Sequence, residues 1–162
     1  MGWLMILGWL STACHADPVK PRISLAGREL ALAFDVWSSG GKCAAADLIR
    51  GKGRRIWGVV YEIPNVLLSR ETAIGRKSLD EIEGEGSNYT RSKIMLRWRN
   101  GRRIKAPVLT YVGLSRRSGI PTSQEYVAHI LAGLTEHRIP KGYVGYVKSC
   151  ISANNSELGK VL

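Results

Sequence analysis

The sequence predicts an α+β domain: a small mixed β-barrel, closed on itself, with helices packed outside it. Strand-like runs occupy most of the first two thirds of the chain and helix-like periodicity the last third, without the regular alternation of a parallel α/β fold. A hairpin marked by Asn100-Gly101 lies between the two regions. With 162 residues, 44% of them hydrophobic, the chain can bury a core of its own without disulfide or metal staples. The expected organisation is a single domain over residues 1–152 followed by a flexible C-terminal tail over 153–162.

Taken in order, Trp3-Leu4-Met5-Ile6-Leu7 is an apolar run ending at Gly8, as a buried strand closing in a turn would be. Pro18, Pro21 and Gly27 make residues 15–27 read as connection. Glu29 to Trp37 is the second strand, closed by Ser38-Ser39-Gly40-Gly41. A basic loop at 50–55 leads into the β-branched and aromatic run Ile56 to Ile63, the third strand. Asn65 is placed to cap a short helix through Leu67 and Leu68.

Ser78 and Glu81 have the spacing of a capping box, and Gly84 and Gly86 end that helix by a left-handed exit. Tyr89 to Arg99 should pair with Arg102 to Val112 across a type I′ turn at Asn100-Gly101. Thr122 and Glu125 suggest a second capping box, opening a helix that turns Tyr126, Val127, Ile130, Leu131 and Leu134 inward and stops at Ile139-Pro140. A last helix, from about Lys141 to Ile151, places Tyr143, Val144, Val147 and Ile151 on its buried face.

Charge and cysteine narrow the function classes. The 24 Lys and Arg against 13 Asp and Glu leave a formal charge of +11, and seven of the cations fall between Arg91 and Lys105. Such a surface attracts phosphate without reading sequence, but flanking Asn100-Gly101 it suits the wet face of a hairpin, and no nucleic-acid-binding signature accompanies it. Nucleic acid is therefore an unlikely partner, and no apolar run reaches the length of a membrane span. Cys14, Cys43 and Cys150 lack metal-site spacing and fit free thiols in a reducing cytoplasm. The apolar Met1–Leu10 stretch has no Lys or Arg before Lys20, which favours a buried strand over a signal peptide.

Local rules break at one place. Asp80, Glu81, Glu83 and Glu85 lie within six positions of a basic chain, toward the end of a short helix whose dipole disfavours negative charge. Most acidic clusters are solvated surface, and Glu81 has a capping role, but Glu83 directly precedes Gly84, where backbone can approach a ligand. A carboxylate held there beside a sheet can acquire a raised pKa suited to taking a proton near neutrality.

Five segments occur in a familiar order: Ile56-Trp57-Gly58-Val59-Val60-Tyr61; Leu79-Asp80-Glu81-Ile82-Glu83-Gly84; Tyr89; Tyr111; and Pro121-Thr122-Ser123-Gln124-Glu125-Tyr126. Together, over roughly Leu30 to Lys148, they resemble the gamma-glutamylcyclotransferase family, whose fold is shared with AIG2-like proteins. The resemblance implies a small barrel flanked by helices and an intramolecular reaction on a small-molecule γ-glutamyl substrate. The free α-amine attacks its own γ-carbonyl and releases 5-oxoproline and an amine or amino acid, with no cofactor. It places the general base at Glu83 and substrate-binding residues at Tyr126, Tyr89 and a turn over Leu7, Gly8 and Trp9. The family carries Tyr-Gly-Ser-Asn at that turn, whereas this chain has Leu7-Gly8-Trp9-Leu10 and keeps only the glycine. Two readings stay open: a cyclotransferase-type enzyme, or a catalytically silent relative that binds a small molecule.

Overall fold

The computed structural model describes residues 2–6, 22–26, 29–69, 75 and 77–162. Among the described residues eight strands form two sheets: β1 (Gly2–Ile6), β2 (Arg22–Ala26), β3 (Leu30–Ser38), β4 (Cys43–Arg50), β5 (Trp57–Ile63), β6 (Tyr89–Ile94), β7 (Leu96–Trp98) and β8 (Val108–Gly113). Six of them lie in the order β6-β8-β1-β5-β2-β7, and β3 and β4 make a separate two-stranded ribbon. The sheet is mixed, because β1 runs antiparallel to β5 but parallel to β8. Among the described residues the ladder does not close into the expected barrel. β6 pairs only with β8 and β7 only with β2, while an isolated bridge between Val36 and Arg116 pairs the ribbon with the segment just after β8.

Two strands lie where none was expected. β2 occupies the end of the stretch read as connection and pairs with both β5 and β7. β4 has the run Cys-Ala-Ala-Ala-Asp-Leu-Ile-Arg, whose alanines carry little strand preference. It is a strand because β3 supplies a partner along its whole length and because Ala44 and Leu48 are buried against the helices. The β3 ladder shifts register at Asp35, between Phe34 and Val36.

The hairpin forms with a different tip. Gly101 N–H donates to Trp98 O, Trp98 N–H donates to Arg102 O, and Gly101 alone in the turn has positive φ (+84°). This is a three-residue loop with glycine in the left-handed position, not the two-residue type I′ turn. Beyond it, Arg97 faces Arg103, yet Ile94 faces Val108, so the returning strand holds two extra residues. Pro107, which has no N–H to give a ladder, lies in that stretch. Arg97, Arg99, Arg102, Arg103 and Lys105 are all exposed there, in keeping with a solvated face.

The helices are α1 (Leu79–Glu83), α2 (Gln124–Glu136), α3 (Lys141–Asn154) and α4 (Ser156–Gly159), with a 3-10 turn at Asn65–Leu67. Pro64, not Asn65, occupies the cap position of that turn. The α2 cap is Ser123, whose Oγ accepts from Tyr126 N–H, so Thr122 and Glu125 form no capping box. Leu32, Phe34, Leu48, Ile56, Val60, Leu96 and Val108 pack against Val127, Ile130, Tyr143, Val147 and Ile151 in the main core.

Residues 153–162, expected as a tail, instead complete α3 and form α4. The Asn154 carboxamide accepts from Thr122 N–H (2.6 Å) and donates to Phe34 O and Ile120 O (2.9 Å each), and Leu158 and Leu162 pack against the core. A side chain that saturates three backbone groups ties the chain end to the start of α2 and to β3.

Candidate active site around Glu83

Local sequence builds α1 as expected. Ser78 Oγ accepts from Glu81 N–H (3.2 Å), and Glu81 Oε2 accepts from Ser78 N–H (3.0 Å). Gly84 closes the helix at φ +67°, ψ +48°, a conformation that side chains resist. Its carbonyl then accepts from the N–H groups of Ser87 and Asn88, which folds the following loop back toward β6. Leu79, 1% exposed, anchors α1 in a second, smaller core with Ile63 and Tyr111. Glu83 is thereby fixed at the helix end beside β6 and β8.

The acidic island sorts itself by partner. Asp80 and Glu81 lie in the first helical turn, where the dipole favours carboxylates, rather than at its end. Asp80 Oδ1 accepts from the Tyr111 hydroxyl (2.7 Å) and lies 3.4 Å from Arg91 Nε. Glu81 is committed to the capping box, and Glu85 is exposed. Glu83 is different: among the described residues no hydrogen bond or ion pair reaches its carboxylate, although it is largely surrounded by protein. Desolvation pushes its carboxyl up from 4.5 to about 7.

Three tyrosines share this neighbourhood. Burial raises the pKa of each phenol first, and the Glu83 charge raises it further at Tyr89, Tyr111 and Tyr126; Tyr126 is pushed up to about 12. All three are neutral hydroxyls at physiological pH. The Tyr126 hydroxyl accepts from Ala46 N–H (3.0 Å), and the Tyr89 hydroxyl donates to Ala46 O (2.9 Å). An N–H can only donate and a carbonyl can only accept, so both hydroxyl orientations follow from the partners. Tyr126 keeps its own proton for a further acceptor, and Tyr89 keeps lone pairs for a further donor. A carboxylate poised near neutrality, with one O–H and one acceptor that have no further partner among the described residues, suits a ligand carrying an amine beside carbonyl or carboxylate groups.

Of the residues expected in the site, Glu83, Tyr89 and Tyr126 are brought together, whereas Leu7, Gly8 and Trp9 lie outside the described residues. The sequence reading did not include the Ala46 peptide or its neighbour Asp47. The available signal was a single acid inside the apolar run Cys43–Ile49, where an unpartnered carboxylate would be costly. Among the described residues no group of three His, Cys, Asp or Glu side chains is arranged to hold a metal ion. No helix among them is long and apolar enough to cross a membrane.

The fold has solved counterparts. A protein described as gamma-glutamyl cyclotransferase superimposes with a TM-score of 0.69 at 18% identity, covering 91% of this chain and 86% of that one. An uncharacterized protein from Homo sapiens gives a TM-score of 0.71 at 21% identity with the same coverage. YkqA from Bacillus subtilis gives 0.72 at 20% identity, with 94% of this chain spanning 55% of that protein. At these identities the likeness is one of fold. Comparison with curated proteins finds no match. Residues 55–147, which hold α1, Glu83, Tyr89 and Tyr126, match the model of the AIG2-like family over more than half of the 162 residues, and the chain belongs to that family.

Proposed function

We propose that this protein is a gamma-glutamylcyclotransferase-type enzyme that releases 5-oxoproline from a γ-glutamyl amine or peptide. The observation that carries the reading is the Glu83 carboxyl, unpaired among the described residues and pushed up to about 7 beside Tyr89 and Tyr126. A carboxylate ordinarily near 4.5 is too weak a base to relieve an ammonium of its proton; one near 7 is half-ionised at neutral pH and closer to the amine in basicity.

In the proposed reaction Glu83 takes a proton from the substrate's α-ammonium. The freed nitrogen attacks the γ-carbonyl, forming the new C–N bond of a five-membered lactam and a tetrahedral oxyanion. As the oxyanion collapses the attacking nitrogen gives up its second proton, the γ-carbonyl carbon parts from its original nitrogen, and that amine leaves as an ammonium carrying this proton and the one Glu83 returns. No net proton, electron or cofactor is consumed. Nucleophile and electrophile are tethered, so holding the chain in its folded conformer supplies much of the acceleration. The Tyr126 O–H, without an acceptor among the described residues, can hold a substrate carbonyl or carboxylate, and the resemblance assigns the backbone N–H donors for the oxyanion to residues 7–9.

The test is release of 5-oxoproline from a panel of γ-glutamyl amino acids and amines by the purified protein, with Glu83→Gln alongside. A variant as active as wild type removes Glu83 from the role. The second reading, a silent small-molecule-binding relative, is favoured by Leu7-Gly8-Trp9-Leu10 standing where the family has Tyr-Gly-Ser-Asn. It predicts thermal stabilisation by γ-glutamyl compounds without product, and detectable turnover excludes it.

A further inference from the structure

Asp47 is 1% exposed, and its carboxylate is fully engaged. Oδ1 accepts from Leu48 N–H (2.6 Å) and Gly113 N–H (2.7 Å), and Oδ2 accepts from Arg116 Nε (2.7 Å). Two of these partners belong to the end of β8 and the segment just after it, while Asp47 belongs to the ribbon. The side chain therefore bolts two separately hydrogen-bonded sheets together. Gly113 is shaped for it: a Cβ there would come within 2.7 Å of Asp47 Oδ2 and would collide with Val36 Cγ2, so only glycine lets the ribbon approach this closely.

The residue next to this bolt is Ala46, whose N–H and C=O hold the hydroxyls of Tyr126 and Tyr89. The residue opposite Tyr89 in the β6–β8 ladder is Gly113 itself. A closed circuit results: Tyr89 hydroxyl to Ala46 carbonyl, along the chain to Asp47, across to Gly113 N–H, and back over the ladder to Tyr89. Tyr126 hangs from the other side of the same residue, Ala46. A free-hanging phenol can swing; a phenol whose oxygen is tied to a bolted peptide cannot, and small misplacements of site groups are costly to rate.

We propose that Asp47 is a positioning residue for the reaction: its carboxylate clamps the ribbon to β8 so that the Ala46 peptide holds Tyr89 and Tyr126 in register with Glu83. The kinetic part rests on the cyclotransferase reading; the clamp itself does not, and the experiment separates them. Asp47→Asn keeps the side chain's shape but places an amide where Arg116 expects a carboxylate. Arg116→Gln, at a half-exposed site, leaves both backbone N–H bonds to Asp47 Oδ1 in place while removing the guanidinium's bond to Asp47 Oδ2 and its weaker contacts with Leu48 O (3.5 Å) and Asp35 Oδ2 (3.9 Å), and so guards against a variant that fails to fold.

In protein carrying isotope-labelled tyrosine rings, the signals of Tyr89 and Tyr126 are identified by their loss in the Phe variants. They move in Asp47→Asn, and less in Arg116→Gln, while that of Tyr143 stays. Turnover falls by about tenfold to a hundredfold in kcat. In a Tyr89→Phe/Tyr126→Phe background the same substitution lowers it by less than about threefold, because groups acting as one unit are not additive. Unmoved tyrosine signals overturn the clamp, whatever the turnover. Moved signals in a protein that releases 5-oxoproline at an undiminished rate, or a loss that multiplies in full with the Phe variants, overturn its part in the reaction. Wild-type protein that makes no 5-oxoproline overturns the functional reading alone, and the tyrosine signals still decide the clamp.

Discussion

Replacing Glu83 by glutamine separates a carboxylate set in a desolvated place from one that is merely nearby. The carboxyl stands at about 7 in the folded protein against an ordinary 4.5, and the cause is burial. One pH unit of displacement is worth about 1.4 kcal/mol, so the ionised form costs the fold on the order of 3 kcal/mol. The sign follows from linkage: a carboxyl whose folded pKa is raised favours folding at low pH and loses that contribution as pH climbs. Below about 4.5 both states carry the proton and Glu83→Gln matches wild type. Between 4.5 and about 7 the unfolded chain ionises while the folded one does not, and the variant gains on wild type. Above 7 the gap levels off near its full value.

Urea unfolding of both proteins from about pH 4 to pH 9 measures this directly. At the alkaline end the variant should melt several degrees higher, since about 1 kcal/mol corresponds to roughly 2–4 °C in a domain of this size. The same substitution should lower turnover by about a hundredfold or more, as removal of a general base does, while wild-type kcat/KM rises with pH through about 7. A stability difference that stays flat across the pH range would refute the desolvation argument, and with it the basis for calling Glu83 a base.

Three further outcomes follow from the contacts. Tyr126→Phe strips the Ala46 N–H of its acceptor and should cost about 1–3 kcal/mol in urea titration, more than Tyr89→Phe, which leaves only a carbonyl under-satisfied. Asn154→Ala leaves Thr122 N–H and two carbonyls without their partner and should cost about 2–4 kcal/mol; an unchanged Tm would mean that the chain end contributes nothing. Asp35 Oδ1 is buried and has no hydrogen-bond partner among the described residues, and desolvation followed by the Asp47 charge raises its pKa, so its ionised form opposes folding. Asp35→Asn should therefore stabilise at about pH 8 and make little difference at about pH 3, read by thermal melts at the two values.

What the sequence disclosed and what it concealed divide along the range of the interactions. Ser78 and Glu81 stand three residues apart, and Gly84 follows directly, so α1 and its exit were legible from neighbours alone. Tyr126 is legible as a site residue only through resemblance, because its partner Ala46 is 80 residues away. β4 was invisible for the same reason: three alanines have no strand preference of their own, and the strand exists because β3 and the helices bury it. At the hairpin the Asn-Gly pair marked the right place but the wrong loop, since the two extra residues around Pro107 and the pairing of β7 with β2 set the register. In the α2 cap, Ser123 and Thr122 compete for one role. Thr122 lies 2% exposed with its backbone N–H held by Asn154, so the competition is settled by the chain end, 32 residues on.

The position of β1 has a consequence for how the molecule is made. Its residues 2–6 lie in the middle of the sheet, against 59–63 on one side and 109 on the other. A ribosome delivers that strand well before either of its two neighbours, so during synthesis it waits with both edges open. Its pairing is among the last long-range steps available, which favours slow assembly and leaves the nascent chain in need of protection from edge-to-edge association.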